Sequence, residues 1–205
     1  MSDSNFKNIL SPFTFPVSKI KLNSRTVMAP MTTYSGNEDG TVSEDEITYY
    51  KKRNRSADLL ISAFAYVTKE GKGFHGQIGA DTDAMIPSLK RIADALKENG
   101  GKAVLQIHHG GRMSSPVELK NGQTISASSI AATREGAQIP REMTEKEITQ
   151  TIKAFGDAAR RAIEAGFDGV EIHGANTYLL QQFFSPHSKR RTDKWGGNLE
   201  KRMTF

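Results

Sequence analysis

The sequence of 205 residues predicts an α/β fold, a (β/α)₈ TIM barrel of which this chain covers about the first four βα units. Short apolar strands alternate with helices along the chain, a pattern typical of a parallel sheet built from βαβ units. The strands are apolar on both faces, as strands covered by helices are. The first strand, Arg25–Ala29, is not followed by a G-x-G-x-x-G turn, so a doubly wound dinucleotide fold fits less well.

The clearest helix is predicted from Thr144 to Ala165. Thr144 and Glu147 have capping-box spacing, and apolar residues then recur on one helical face. Gly166 is placed to cap the C-terminal end, and the strand 168–173 follows directly. The pattern therefore predicts one complete helix-to-strand unit in this part of the chain.

The same unit is predicted twice earlier in the chain. Ser43 begins a helix that ends near Arg55, and the apolar strand 58–63 follows it. A second helix stops at Gly100 and precedes the strand 102–107. We also expect a hairpin over 13–20 that plugs the barrel floor, and a long loop over 110–141 that covers the active face.

Composition limits the possible partners. The chain has 28 basic and 23 acidic residues mixed along its helices, and its basic run, 189–191, is too short to indicate a nucleic-acid interface. It has no cysteine, which excludes a disulfide, a thiolate metal site or a cysteine nucleophile in these residues. The stretch 59–67 is too short to span a bilayer, and the N-terminus lacks a signal-peptide core. We expect a cytoplasmic protein without membrane or nucleic-acid partners.

Three side chains able to bind or protonate an oxygen lie at the end of the strand 168–173 or within five residues after it. They are His173, Asn176 and Tyr178, at the strand end where parallel α/β folds hold their active sites. Each has a simpler interpretation when taken alone: a core histidine, a helix N-cap and a packing residue, respectively. Their occurrence together favours a functional site.

Other strand ends also have polar residues. The first strand leads into Pro30, Met31 and Thr32, with Tyr34 two residues further on. The third strand contains Gln106, whose amide needs hydrogen-bond partners if it is buried, either structural ones or a planar heterocycle. His108 and His109 follow, but adjacent strand residues point to opposite faces, so we predict no metal site.

Taken together, these segments resemble the Old Yellow Enzyme family of FMN-dependent ene-reductases, also named NADH:flavin oxidoreductases. The resemblance runs from about Asn8 to Phe205, with the motifs in family order. It is carried by Asn23–Met31 (NSRTVMAPM), Gln106–Arg112 (QIHHGGR), Glu171–Leu179 (EIHGANTYL), Phe184–Pro186 (FSP) and Arg191–Gly197 (RTDKWGG).

The resemblance implies that residues 1–205 are the N-terminal half of a single FMN-binding barrel domain, with NADH or NADPH as electron donor. The residues implied to border the flavin are Pro30, Met31, Thr32, Phe64, Gln106 and His173. The Thr32 hydroxyl is implied to lie beside flavin N5, and Gln106 to bind the pyrimidine edge. The flavin contact near the end of the second strand is implied at Ala63 or Phe64, and Phe64 departs from the small residue that many relatives have there.

The resemblance also implies roles at the acceptor. His173 and Asn176 match the pair that binds the carbonyl or nitro oxygen of an α,β-unsaturated acceptor, Tyr178 matches the proton donor, and Tyr34 is expected to line the pocket. The reaction implied is hydride transfer from NAD(P)H through the flavin to the β-carbon of the acceptor. The partners implied are a small enone-type molecule and further copies of the chain in a homo-oligomer.

Two alternatives stay open. A four-stranded half barrel has an exposed sheet edge and lacks the loops after strands seven and eight, on which such barrels bind phosphate. The chain is therefore also interpreted as a fragment or a non-catalytic half barrel for binding or assembly. Within the family, a dienoyl-CoA-reductase-like branch has an iron–sulfur cluster, whose ligands would lie beyond residue 205.

Overall fold

The computed structural model describes residues 6–205 as parallel strands alternating with helices. The strands are β1 (Phe13–Thr14), β2 (Lys21–Leu22), β3 (Val27–Met28), β4 (Leu59–Ile61), β5 (Ala65–Tyr66), β6 (Lys102–His108), β7 (Ile125–Ser126), β8 (Arg141–Glu142) and β9 (Gly169–Ile172). The helices are α1 (Glu44–Lys51), α2 (Ile86–Lys97), α3 (Glu145–Glu164), α4 (Leu179–Phe184) and α5 (Leu199–Arg202).

The main sheet is parallel and follows chain order. β3 pairs with β4, β4 with β6, and β6 with β9. Each crossover between these strands contains a helix, as right-handed βαβ connections do. The four predicted βα units are confirmed, and their strands lie side by side as in one half of a barrel.

The second strand is interrupted, which the sequence pattern did not predict. Both β4 and β5 pair with the same edge of β6, but the register shifts between them. Ile61 pairs with Val104 and Ala65 pairs with Ile107, so four steps on this strand oppose three on β6. The extra residue lies within 62–64 and forms a β-bulge, a device that redirects side chains at barrel rims and beside active sites.

Hydrogen bonds from two neighbouring elements hold this bulge. The backbone N–H of Ala63 donates to the hydroxyl of Tyr50 on α1 at 2.7 Å. The Ser62 hydroxyl donates to the Ala63 carbonyl at 2.8 Å, and it accepts from the backbone N–H of Gln106 at 3.4 Å. The bulge is therefore tied to both the helix before it and the strand beside it.

The helices form where their caps and apolar faces predict. The hydroxyl of Thr144 accepts from the Glu147 backbone N–H while the Glu147 carboxylate accepts from the Thr144 backbone N–H, which confirms the capping box of α3. Gly166, with a φ of +94°, ends this helix as predicted. Only α1 differs: it is capped by Ser43 but ends at Lys51, four residues before the expected Arg55.

The expected hairpin is present at the floor of the half barrel. β1 and β2 pair antiparallel, Phe13 with Leu22. Phe15, Ser18 and Ile20 of the hairpin line a cavity of about 420 Å³ whose other walls are the inward-facing residues near the amino ends of β4, β6 and β9. This places the hairpin opposite the strand ends that hold the polar cluster.

Two surface features bear on the expected partners. In the basic run 189–191, the Arg191 guanidinium donates to the carbonyls of Ala127 and Met143 and pairs with Asp193, so it anchors the chain locally. Among residues 6–205, no helix combines the length and apolar character needed to cross a membrane.

We expect Glu147→Gln to weaken folding in a pH-dependent way. Hydrogen bonds from the Arg141 guanidinium and from the backbone N–H and hydroxyl of Thr144 lower the pKa of Glu147 from 4.5 to about 2. The stabilisation that Glu147 contributes is therefore present above pH 4.5 and is lost as pH falls towards 2. The free energies of unfolding of wild type and variant, measured in urea, should therefore differ at pH 7 and converge near pH 2. Glu164→Gln on the same helix is the control, and a difference that persists at low pH would contradict the assignment.

Candidate active site

The carboxyl ends of three neighbouring strands bring three rings together. Phe64 leaves the bulge after β4, His108 ends β6 and His173 follows β9. The ring centroids lie 4.3 Å apart for Phe64 and His108, and 5.4 Å apart for Phe64 and His173. Tyr178 completes the cluster at 4.3 Å from His108 and 4.8 Å from His173. The structure therefore places Phe64, from the end of the second strand, in one group with His173 and Tyr178, which belong to a single motif.

Tyr34 reaches the same cluster through a second aromatic ring. Its centroid lies 4.3 Å from that of Phe74, which lies 5.6 Å from that of Phe64. Tyr34 has a φ of +55° and is 66% exposed, so its ring forms an open wall of the site. Phe74 was not identified from the sequence because no strand or motif precedes it.

His173 is held as a neutral donor. It is 7% exposed, and burial lowers the pKa of its imidazole below 6.5, although the carboxylate of Glu171 opposes this shift. The backbone N–H of Ala175 donates to its Nδ1 at 3.3 Å, so Nδ1 accepts and the proton lies on Nε2. His173 can therefore donate a hydrogen bond from Nε2 to an oxygen.

Tyr178 keeps its phenol proton at neutral pH. Burial raises the pKa of Tyr178 above 10, and the neighbouring Tyr34 adds to the shift. Tyr178 is also the N-cap residue of α4, although its side chain makes no capping bond. The alternative that Asn176 caps this helix is therefore wrong.

The turn that precedes Tyr178 has an unusual backbone. Asn176 and Thr177 have φ angles of +54° and +63°, in the left-handed region that costs most residues about 1–2 kcal/mol. Asparagine tolerates this region better than most residues, which gives it a conformational role here. Its side chain is exposed and forms no hydrogen bond within the described part of the chain.

Gln182 holds this turn in place from α4. It is fully buried, and its amide nitrogen donates to the carbonyls of Thr177 at 2.6 Å and Gly110 at 3.1 Å. Its amide oxygen accepts from the Arg112 backbone N–H at 3.1 Å and from the Ser126 hydroxyl at 2.9 Å. Gln182 thus joins the loop after β9 to the loop after β6, a role that the sequence motifs did not indicate.

The loop over 110–141 is more ordered than the pattern predicted. It contains short 3₁₀ turns at Gly111–Met113 and Pro116–Glu118, and β7 within it pairs with β8. The buried Arg112 donates to the carbonyls of Ile130 and Ala131. The loop therefore forms a fixed wall beside the cluster.

Gln106 has a structural partner. It is 4% exposed, and its amide nitrogen donates to the Glu171 carboxylate at 2.9 Å across directly paired positions of β6 and β9. Glu171 is the only hydrogen-bond partner of this side chain among residues 6–205. The amide keeps a second N–H and an oxygen for a heterocycle, so the predicted flavin contact stays a prediction.

The segment after the first strand lies open at the same end of the sheet. Met31 is 50% exposed, Thr32 is exposed and Pro30 is partly buried. Behind them, the hydroxyl of Thr33 donates to the carboxyl group of Glu46 on α1, whose burial raises its pKa. The helix that supports the bulge therefore also supports this segment.

The donor set fits a flavin. A flavin ring needs a planar apolar surface together with donors and acceptors along its pyrimidine edge. The exposed Met31 and Thr32 and the half-satisfied amide of Gln106 offer groups of these kinds.

The adjacent histidines point to opposite faces, as predicted. His108 packs inward on Phe64, whereas His109 lies against Gly71 and lines a separate cavity of about 270 Å³ beside Thr68. Burial lowers the pKa of His109 to about 3, and its Nδ1 accepts from the Gly111 backbone N–H at 3.0 Å.

The fold is a parallel α/β fold of the barrel type with a cluster of aromatic and imidazole rings at its strand ends. Residues 8–205 match the model of the NADH:flavin oxidoreductase / NADH oxidase family, and the chain belongs to that family. The resemblance inferred from the motifs is thereby confirmed.

Relatives and solved structures agree with this assignment. The chain is 50% identical over 200 residues to a probable NADH-dependent flavin oxidoreductase of Bacillus subtilis (strain 168). The alignment covers 98% of this chain and 53% of that protein. It is 54% identical over 188 residues to an NADH:acrylate oxidoreductase of Vibrio harveyi, covering 92% and 19% respectively.

The structure is similar to that of Old Yellow Enzyme from Pichia sp. AKU4542, with a TM-score of 0.87 and 30% identity over 96% of this chain and 53% of that one. It is also similar to morphinone reductase in complex with tetrahydroNAD, with a TM-score of 0.86 and 30% identity. That match covers 95% of this chain and 57% of the other. These neighbours confirm the barrel fold. The chain spans about half the length of these proteins and less of the Vibrio one.

We expect Gln182→Leu to destabilise the protein by about 3 kcal/mol or more, because it leaves several buried backbone groups unpaired at about 1–3 kcal/mol each. Urea unfolding measures the loss, and Gln150→Leu on the exposed face of α3 is the control. A change within about 0.5 kcal/mol, the range of ordinary surface substitutions, would exclude Gln182 as the link between the two loops.

Proposed function

We propose that this chain forms the substrate-facing half of an FMN-dependent oxidoreductase. In the proposed reaction, hydride from NADH or NADPH reaches the β-carbon of an α,β-unsaturated carbonyl or nitro acceptor. One observation carries the proposal: the neutral Nε2–H donor of His173 lies beside the protonated phenol of Tyr178, with ring centroids 4.8 Å apart, at the mouth of the half barrel. Membership of the family supports it.

The residues proposed to hold FMN are Pro30, Met31, Thr32, Phe64, Gln106 and His173. When bound, FMN supplies two-electron hydride chemistry between the nicotinamide and the acceptor. The side chains on this half would contact the ring system, and the loops proposed to bind the phosphate follow strands seven and eight of such barrels.

His173 and Asn176 are proposed to bind the acceptor oxygen. Negative charge develops on that oxygen as hydride reaches the β-carbon, and a donor already in place stabilises it by about 3–4 kcal/mol. The Ala175 N–H keeps the His173 proton on the nitrogen that can donate. Asn176 is exposed on the turn three residues later, and its amide is proposed to donate to the same oxygen.

Tyr178 is proposed to protonate the α-carbon. Its raised pKa keeps the proton on the phenol at neutral pH, and the surrounding rings limit access of water. A positioned general acid of this kind contributes about 10²–10⁴-fold to a rate. Tyr34 is proposed to line the pocket.

A second candidate function is an assembly module that is inactive by itself. Val27 on one outer strand is 52% exposed and Ile172 on the other is 54% exposed, as expected for edges that a complete barrel would cover. Purified 205-residue chain that retains yellow flavin and reduces an enone would exclude this candidate.

The proposed function is tested on the full-length protein. We expect a flavin absorption spectrum and oxidation of NADH or NADPH that depends on 2-cyclohexenone. Absence of both would overturn the proposal. Mass spectrometry of the same sample establishes the chain length for which the result holds.

We expect Tyr178→Phe to lower the rate of enone reduction by about 100-fold or more, because it removes the proton donor while keeping the ring. Flavin reduction by NADH should change little, since that half-reaction needs no proton from Tyr178. Separate anaerobic half-reactions measure both rates. Tyr49→Phe removes a hydroxyl from α1 and is the matched control. An equal loss in both half-reactions would contradict the role.

We expect His173→Ala to lower kcat/KM for the enone by about 10²–10³-fold, the cost of removing one oxyanion donor. Steady-state kinetics at saturating NADH measure it. His75→Ala serves as the control because the His75 side chain is 72% exposed and lies outside the cluster. If His173→Ala kept wild-type kcat/KM, the oxygen-binding role would be wrong.

A further inference from the structure

His108 lies at the centre of the aromatic cluster and has no role in the proposed reaction. It ends β6, is 0% exposed, and its ring centroid lies 4.3 Å from those of both Phe64 and Tyr178. The centroid of His173 is 5.7 Å away. A second imidazole therefore faces the site at which the acceptor oxygen is proposed to bind.

The neighbouring Gln77 determines which nitrogen of His108 has the proton. The Gln77 amide oxygen accepts from the Gly73 backbone N–H at 2.7 Å, so its amide nitrogen is the group 3.1 Å from His108 Nδ1. An amide nitrogen only donates, and Nδ1 must therefore accept. Burial, with the neighbouring His109 and His173, holds the pKa of His108 well below 6.5, so the ring is neutral with its proton on Nε2.

This Nε2–H group has no acceptor. The atom is buried and has no hydrogen-bond partner in the part of the chain that the structure describes. A buried donor without an acceptor costs free energy. If this position served packing alone, we would expect either a hydrogen-bond partner for Nε2 or an apolar aromatic residue in place of the histidine. The same tautomer, with Nδ1 accepting and the proton on Nε2, occurs in His173. Two neutral donors thus lie side by side in one cluster.

We propose that His108 determines acceptor specificity by donating from Nε2 to a second carbonyl oxygen of the acceptor. The inference rests on the proposed function and extends it to a substrate class: unsaturated compounds with two carbonyl groups, such as cyclic imides and enediones. An uncharged oxygen suits a neutral donor among aromatic rings, where a carboxylate would be poorly solvated. The proposed donor thus lies beside the proposed proton donor Tyr178, with ring centroids 4.3 Å apart.

Nitrogen-15 NMR of the histidine-labelled full-length protein tests the donor directly. We expect His108 in the Nε2–H tautomer, with its resonances assigned by their loss in His108→Phe. Succinimide, a saturated cyclic imide, should shift the Nε2 resonance, whereas cyclohexanone should shift that of His173 alone. A proton on Nδ1, or an unshifted Nε2 at high succinimide concentration, overturns the proposal. Failure of wild type to reduce any enone overturns the proposed function instead, and the NMR readout does not depend on turnover.

Kinetics provide the second test. His108→Phe removes the donor but keeps a ring, and Gln77→Glu keeps His108 but draws its proton to Nδ1. In both variants we expect the ratio of kcat/KM for maleimide to that for cyclohexenone to fall about tenfold, the value of one hydrogen bond. The exposed His75→Phe is the control. Equal losses for both acceptors would show that His108 only packs against Tyr178, and would overturn the specificity role.

Discussion

The parallel register on β6 is the constraint on which the site depends. The bulged second strand pairs with one edge of β6 and β9 pairs with the other, so the strands end at the same level. Phe64, His108 and His173 come from separate parts of the chain and meet for this reason. Two residues before His108 and His173, a side-chain hydrogen bond from Gln106 to Glu171 links the inward faces of β6 and β9.

The chemical character of the cluster follows from its lack of formal charge. Burial disfavours the imidazolium form of both His108 and His173, and each Nδ1 accepts from a neighbouring amide N–H. Both rings therefore present Nε2–H groups beside a phenol that keeps its proton. Such a site contains donors but no strong base, which suits an acceptor oxygen that gains negative charge during the reaction.

Local strain near the site is balanced by contacts from elsewhere in the chain. The left-handed residues Asn176 and Thr177 would be costly in an isolated loop, but Gln181 and Gln182 bond both the N–H and the carbonyl of Thr177. Gln182 also bonds the loop after β6. The wall of the site and the turn that holds Tyr178 thus share one buried side chain. This arrangement explains why a glutamine occupies the apolar face of α4.

The sequence by itself determined the alternation of helices and strands, the capping of α3, the family and the strand-end motifs, because these depend on local periodicity, caps and short contiguous segments. The tertiary structure alone decided the bulge at 62–64, the bond of Gln106 to Glu171, and the tautomer of His108. Each of these depends on which backbone or amide group from another part of the chain lies within hydrogen-bond distance. Sequence spacing does not contain that information, since the partners are brought together only when the strands pair.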